Sequence, residues 1–100
     1  MLYILTGDDV SNSAELRSKV RAAHLDHLDK LQAEGRLVLA GPIPAIDAPD
    51  PGPAGFAGSL IIAEFDCIED AEAWLAADPY AMTGVFAKTR VRPFKQVFPR

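Results

Sequence analysis

Ser59-Leu60-Ile61-Ile62-Ala63-Glu64-Phe65 is a nearly unbroken apolar run of strand length. Such a run is expected of a strand buried on both faces, so it predicts the centre of a sheet. Asp66 follows, with Glu69 three residues later, a capping-box-like helix start. Ala71, Trp74 and Leu75 then make the inward face of a helix that ends near Asp78-Pro79. Past a turn through Gly84, Thr89 to Phe98 alternates and predicts a last strand, and Pro93 within it points to a sheet edge or a bulge. On the other side of the central run, Pro44 to Gly58 is crowded with proline and glycine. That composition predicts a long irregular connection, and its stiffening prolines and Phe56 predict that it packs over a pocket or a partner.

Further toward the N-terminus, Leu37-Val38-Leu39-Ala40 predicts a strand stopped by Gly41-Pro42. Ser13 to Glu34 predicts a long amphipathic helix, with Leu16, Val20, Ala23, Leu28 and Leu31 recurring every three to five residues and Gly35 as its C-terminal cap. Leu2 to Thr6 predicts a first strand ending at Gly7-Asp8-Asp9. The order β-α-β-β-α-β is the ferredoxin-like α+β plan, with both helices on one face of a four-stranded antiparallel sheet. The other face then has nothing over it, and the simplest cover is a second copy of the chain, sheet against sheet. A homodimer is therefore expected, built from one domain spanning residues 1–100.

With 10 Lys and Arg against 14 Asp and Glu, the chain carries a net charge of −4. That balance argues against general nucleic-acid binding, which needs a basic face. Met1 to Leu5 is apolar but far shorter than a signal-peptide core or the about 20 residues of a membrane span. The one cysteine fits a reducing compartment, so a cytoplasmic protein is expected, with no membrane contact.

Among residues suited to chemistry, His24 lies on the inward stripe of the first helix, four residues from both Val20 and Leu28, with Arg17 and Arg21 on an adjacent row. Histidine's ordinary pKa of about 6.5 suits proton transfer at neutral pH. The plainer reading is a core-edge histidine satisfied by a backbone carbonyl. His24 and His27 also form an H-x-x-H pair near Asp26 and Asp29, but no H-E-x-x-H or cysteine ligand supports a metal, and His27 reads as solvated. Asp78, at the end of the second helix, would face the negative pole of the macrodipole, a misplacement that hints at function. Asp78-Pro79 is equally the N-cap and first-residue signature of another helical turn. Ser59 either donates a hydrogen bond to a ligand or merely starts its strand. Cys67 sits among acidic residues that disfavour a thiolate. Lys88, Arg90, Arg92 and Lys95 are four cations without an intervening acid, and Arg90 and Arg92, sharing one strand face, read as a protected sheet edge rather than an anion site. Neither G-x-G-x-x-G nor a phosphate-loop lysine is present, so no cofactor is called for.

Arg21-x-x-His24, Glu34-Gly35-Arg36-Leu37, Ala40-Gly41-Pro42, Gly55-Phe56-x-Gly58-Ser59, Ala73-Trp74, Asp78-Pro79-Tyr80 and Arg92-Pro93-Phe94 occur in the order seen in the YciI-like (YCII-related) proteins. The chain resembles that family over essentially its whole length. The resemblance implies a dimeric α+β barrel of ferredoxin-like subunits and a site built on a histidine and an aspartate. By motif these are His24 and Asp78, with Arg21, Gly41, Pro42 and Ser59 lining the same pocket. Some relatives resemble lyases that remove chloride from chlorinated hydroxyaromatics. Two functions are then expected to compete: a cofactor-independent acid/base enzyme acting on a small molecule, or a non-catalytic module that binds or senses a small anionic or phenolic metabolite.

Overall fold

The computed structural model describes all 100 residues. Four strands, β1 (Leu2–Asp9), β2 (Leu37–Pro44), β3 (Phe56–Glu64) and β4 (Phe86–Phe94), alternate with three helices, α1 (Ala14–Ala33), α2 (Ile68–Ala76) and α3 (Pro79–Met82). The sheet order is β2-β3-β1-β4, and every neighbouring pair is antiparallel. This is the ferredoxin-like α+β arrangement, with β1 and β3 central.

Period-two alternation fixes which side chains meet the helices. Tyr3, Leu5 and Gly7 of β1 pair with Ala63, Ile61 and Ser59 of β3, and these residues look toward the helical layer. Leu5, Ile61, Leu31 of α1, Ala71 and Leu75 of α2, and Val85 are almost wholly buried there. Truncating a core leucine such as Leu5 to alanine costs about 2–5 kcal/mol. Ile4, Leu60 and Ile62 look the other way, flanked by Leu39 and Ile43, which stay 49% and 40% exposed. The sheet's second face is thus uncovered by any helix, apolar along β2 and β3 and charged along β4, where Lys88, Arg90 and Arg92 lie opposite Asp8, Thr6 and Ile4.

Several boundaries differ from the sequence reading. β2 runs through Gly41-Pro42 to Pro44, because Pro42 lies on an edge strand and one side of an edge strand needs no ladder donor. The irregular connection shrinks accordingly to residues 45–55, and Phe56 to Gly58 join β3. Gly58 is required there, since a Cβ on it would collide with the Gly7 carbonyl oxygen of β1. β4 starts earlier and ends earlier than expected, at Phe86 and Phe94, with Pro93 tolerated on this second edge. Cys67, not Asp66, is the N-cap residue of α2, with no side-chain bond. Asp78 does not end α2; it opens α3, so the unfavourable dipole placement expected of it does not exist. Ala23 is exposed, and the buried residues of α1 are Arg17, His24, Leu28 and Leu31.

Candidate functional site

The inner stripe of α1 is apolar at its C-terminal end and polar toward its start, and the polar half faces Ser59 and the short helix α3. Arg17 donates from Nε and Nη2 to the two oxygens of Asp9 at 2.6 and 2.9 Å, and from Nη2 to the Gly58 carbonyl and the Ser59 hydroxyl at 2.8 and 2.9 Å. One guanidinium therefore ties the end of β1 to the start of β3. Because Ser59 Oγ accepts this bond, its own hydrogen is free to donate elsewhere.

Two turns on, His24 Nδ1 lies 2.8 and 3.0 Å from the oxygens of Asp78. A carboxylate can only accept, so Nδ1 carries the proton. Asp78 has no exposed surface, and it also accepts the Tyr80 backbone N–H at 2.9 Å as the N-cap of α3. Its two sequence readings, cap and histidine partner, are thus both realised by one side chain. Pro79, at the first helical position, fixes the backbone for that cap. Tyr80 then lays its ring on the His24 imidazole, with centroids 3.9 Å apart and planes 7° from parallel. His24 and Asp78 lie 54 residues apart in the chain, and α3 meets α1 only in the folded state.

His24 Nε2 has no protein partner, and no buried side-chain nitrogen or oxygen lacks a hydrogen bond, so Nε2 is not sealed. It opens to a cavity of about 220 Å³ that His24 lines. Arg21 from α1, Gly41 and Pro42 from β2, and Ser59 from β3 line the same cavity. Asp78 does not line it; it stands behind His24, placed to orient the ring and unable to reach a bound molecule. Arg17 and Tyr80 also line the cavity, beside the apolar Leu25, Leu28, Ala40 and Ile61, and the sequence reading assigns neither Arg17 nor Tyr80 a role there. The Arg17 guanidinium lies 4.9 Å over the Tyr80 ring. Burial pushes the Tyr80 phenol above its ordinary pKa, the charges of Arg17 and Arg21 offsetting only part of the rise. The hydroxyl therefore stays protonated and can donate at neutral pH.

Other candidates fall elsewhere. His27 is not simply solvated: it stacks on Trp74 at 4.1 Å, and its Nε2 lies 2.8 Å from the Trp74 carbonyl oxygen, to which it donates. At Cys67 the Asp70 backbone N–H pulls the thiol's pKa down, but burial and the Asp70 and Glu69 carboxylates outweigh it, so the pKa is raised and the thiol stays neutral. Lys88, Arg90 and Arg92 project from β4 on the open sheet face, opposite Asp8, Thr6 and Ile4. No helix is long and apolar enough to cross a membrane.

Fold and site together define a ferredoxin-like α+β protein with a buried histidine–carboxylate pair at the wall of a small cavity. The chain belongs to the YCII-related domain family, whose pattern matches residues 1–95. It is 53% identical over 98 residues to Protein YciI of Escherichia coli O6:H1, covering 98% of this chain and all of that one. An uncharacterized protein of Haemophilus influenzae is 49% identical over the same span and coverage. Among solved structures, the 5-chloro-2-hydroxyhydroquinone dehydrochlorinase TftG of Burkholderia phenoliruptrix, in complex with 2,5-dihydroxybenzoquinone, superposes with a TM-score of 0.82 at 29% identity, covering 95% of this chain and 94% of that one.

Proposed function

We propose that the protein is a cofactor-independent acid/base enzyme, lyase- or isomerase-like, acting on a small hydroxyaromatic or similarly acidic molecule. The observation that carries this reading is the His24–Asp78 pair, closed on the Nδ1 side and open to the cavity at Nε2. Nε2 takes a proton from a substrate hydroxyl or C–H, and Asp78 stabilises the imidazolium that results. Charge developing on the substrate oxygen is met by Arg21 and by the free hydroxyl hydrogens of Ser59 and Tyr80. In an elimination the electron pair released by the lost proton expels the leaving group as an anion, and the proton on Nε2 passes to water. Proton transfer of this kind supplies about 10²–10⁴ in rate, enough for an activated ring. The resemblance to TftG, whose named substrate is a chlorinated hydroxyhydroquinone, supports the choice of substrate class.

The test is incubation with 5-chloro-2-hydroxyhydroquinone and unchlorinated hydroxyaromatics, following chloride release and ring absorbance, for the native chain and His24→Gln. Turnover lost in the variant supports the reading. Tight binding with no turnover of any member replaces it with the metabolite-binding module.

The site is read as belonging to a homodimer that buries the open face around Ile4, Leu60 and Ile62, since monomers seldom leave such patches uncovered. Sedimentation equilibrium at micromolar concentration should give twice 10.8 kDa. A reduced Cys67 and the net negative charge support a cytoplasmic protein without nucleic-acid partners.

A further inference from the structure

The concave surface does not end at the His24 cavity. A second cavity, of about 300 Å³, lies across the wall formed by Arg17, Arg21, Pro42 and Tyr80, which line both. Its far side is made by Phe56, Gly52 and Gly55, the tail of the proline-rich connection and the start of β3.

Three observations mark this second chamber as more than a crease. Gly52 and Gly55 hold φ at +56° and +69°, and a Cβ on either would meet nothing within 4 Å. These left-handed positions favour glycine, and glycine leaves the chamber floor bare. Phe56 is a large ring outside the hydrophobic core, half-buried, with the Arg17 guanidinium 5.4 Å from its centroid. An aromatic face held at a cavity wall and not in the core is a surface for another flat group. Arg21, shared by the two chambers, has no carboxylate partner in the protein, whereas Arg17 beside it is taken up by Asp9.

We propose that the second chamber is a subsite for a flat, ring-sized apolar group carried by a ligand whose acidic head lies against His24, with the Arg21 guanidinium at the junction. The ligand class is then a two-part molecule, an acidic hydroxylated ring bearing an aryl or comparably flat substituent, larger than a single ring. This rests on reading the His24 cavity as the place of the acidic head.

The experiment is a titration of the native chain and of Phe56→Ala and Phe56→Leu, followed by calorimetry and by ¹⁵N amide shifts. The probes are 2,5-dihydroxybenzoquinone, its 3-phenyl derivative and benzyl alcohol. The phenyl derivative should bind the native chain at least about tenfold tighter than the parent, as burial of a ring predicts. It should move the amides of Gly52, Gly55 and Phe56 as well as those of Gly41 and Ser59. In Phe56→Ala the affinity ratio of the two quinones should fall toward one, with Phe56→Leu between. A ratio near one in the native chain, or a ratio unchanged in Phe56→Ala, overturns the subsite. If neither quinone moves Gly41 or Ser59, the head-group reading of the His24 cavity fails instead. Benzyl alcohol needs no acidic head, so shifts it causes at residues 52–56 then still support the subsite, and their absence overturns it.

Discussion

Two buried carboxylates meet the inner side of α1, and the protein treats them differently. Asp9 receives Arg17 Nε and Nη2 and the Ser13 hydroxyl, and the same Nη2 also donates to Gly58 and Ser59. Asp78 receives His24 and the Tyr80 N–H, but the far nitrogen of its partner stays open to a cavity. In the closed cluster, desolvation offsets much of the Coulombic gain, so what it contributes is a fixed arrangement of β1, α1 and β3. The open cluster turns the same burial into orientation: a sealed carboxylate and a stacked tyrosine hold one imidazole so that one nitrogen faces the cavity.

The sharpest break of this contrast is His24→Gln, which keeps a donor near Asp78 but cannot carry a proton. Turnover should fall by about 10²–10⁴, equivalent to roughly 3–5 kcal/mol of barrier, while the urea midpoint moves little. Retained turnover would place the chemistry elsewhere. Arg17→Met should act the other way, through stability. It strands a carboxylate whose side chain is 1% exposed, at a cost of about 3–5 kcal/mol by denaturant unfolding, and Asp9→Leu added to it should restore much of the loss. If Arg17→Met unfolds no more easily than the native chain, the closed cluster is not a strut. Asp78→Asn should fall between the two roles, keeping the α3 cap through its amide oxygen while losing the charge-assisted bond to His24, with about 1–3 kcal/mol of stability lost. The smallest effect is alkaline. The folded-state phenol of Tyr80 titrates above its ordinary value, so the unfolded chain releases its proton first and stability falls as pH rises past about 10. Tyr80→Phe should flatten part of that fall in pH-dependent melting, with no change below it.

The helix is legible because it is periodic, and the central strand because it is a nearly unbroken apolar run of strand length. Ser13 to Glu34 is read from spacing alone and α1 spans Ala14–Ala33. The strand ends are less legible: Gly41-Pro42 reads as a stop, and only the edge position of β2 makes that proline harmless, whereas Pro93 already points to the edge that β4 occupies. His24 and its motif partners come from the family resemblance more than from spacing. Arg17 is missed for a physical reason. It stands seven residues before His24, almost two full turns and so on the same face, whereas the sequence reading places it on an adjacent row and gives it no role. Its justification is invisible locally, because the groups that satisfy it are 8, 41 and 42 residues away. Tyr80 is hidden likewise: its ring serves a histidine on another helix. An arginine on a histidine's stripe, seven residues before it, is the signal that was available.

The 54 residues between His24 and Asp78 also set a clock. A ribosome adds about 5–20 residues per second, so the histidine is made several seconds before its carboxylate exists. When His24 is made only β1 precedes its helix, β2 and β3 follow within the interval, and β4 comes after Asp78. The pair, and the fixed setting of the imidazole that depends on it, forms only when the last quarter of the polypeptide has emerged and folded back.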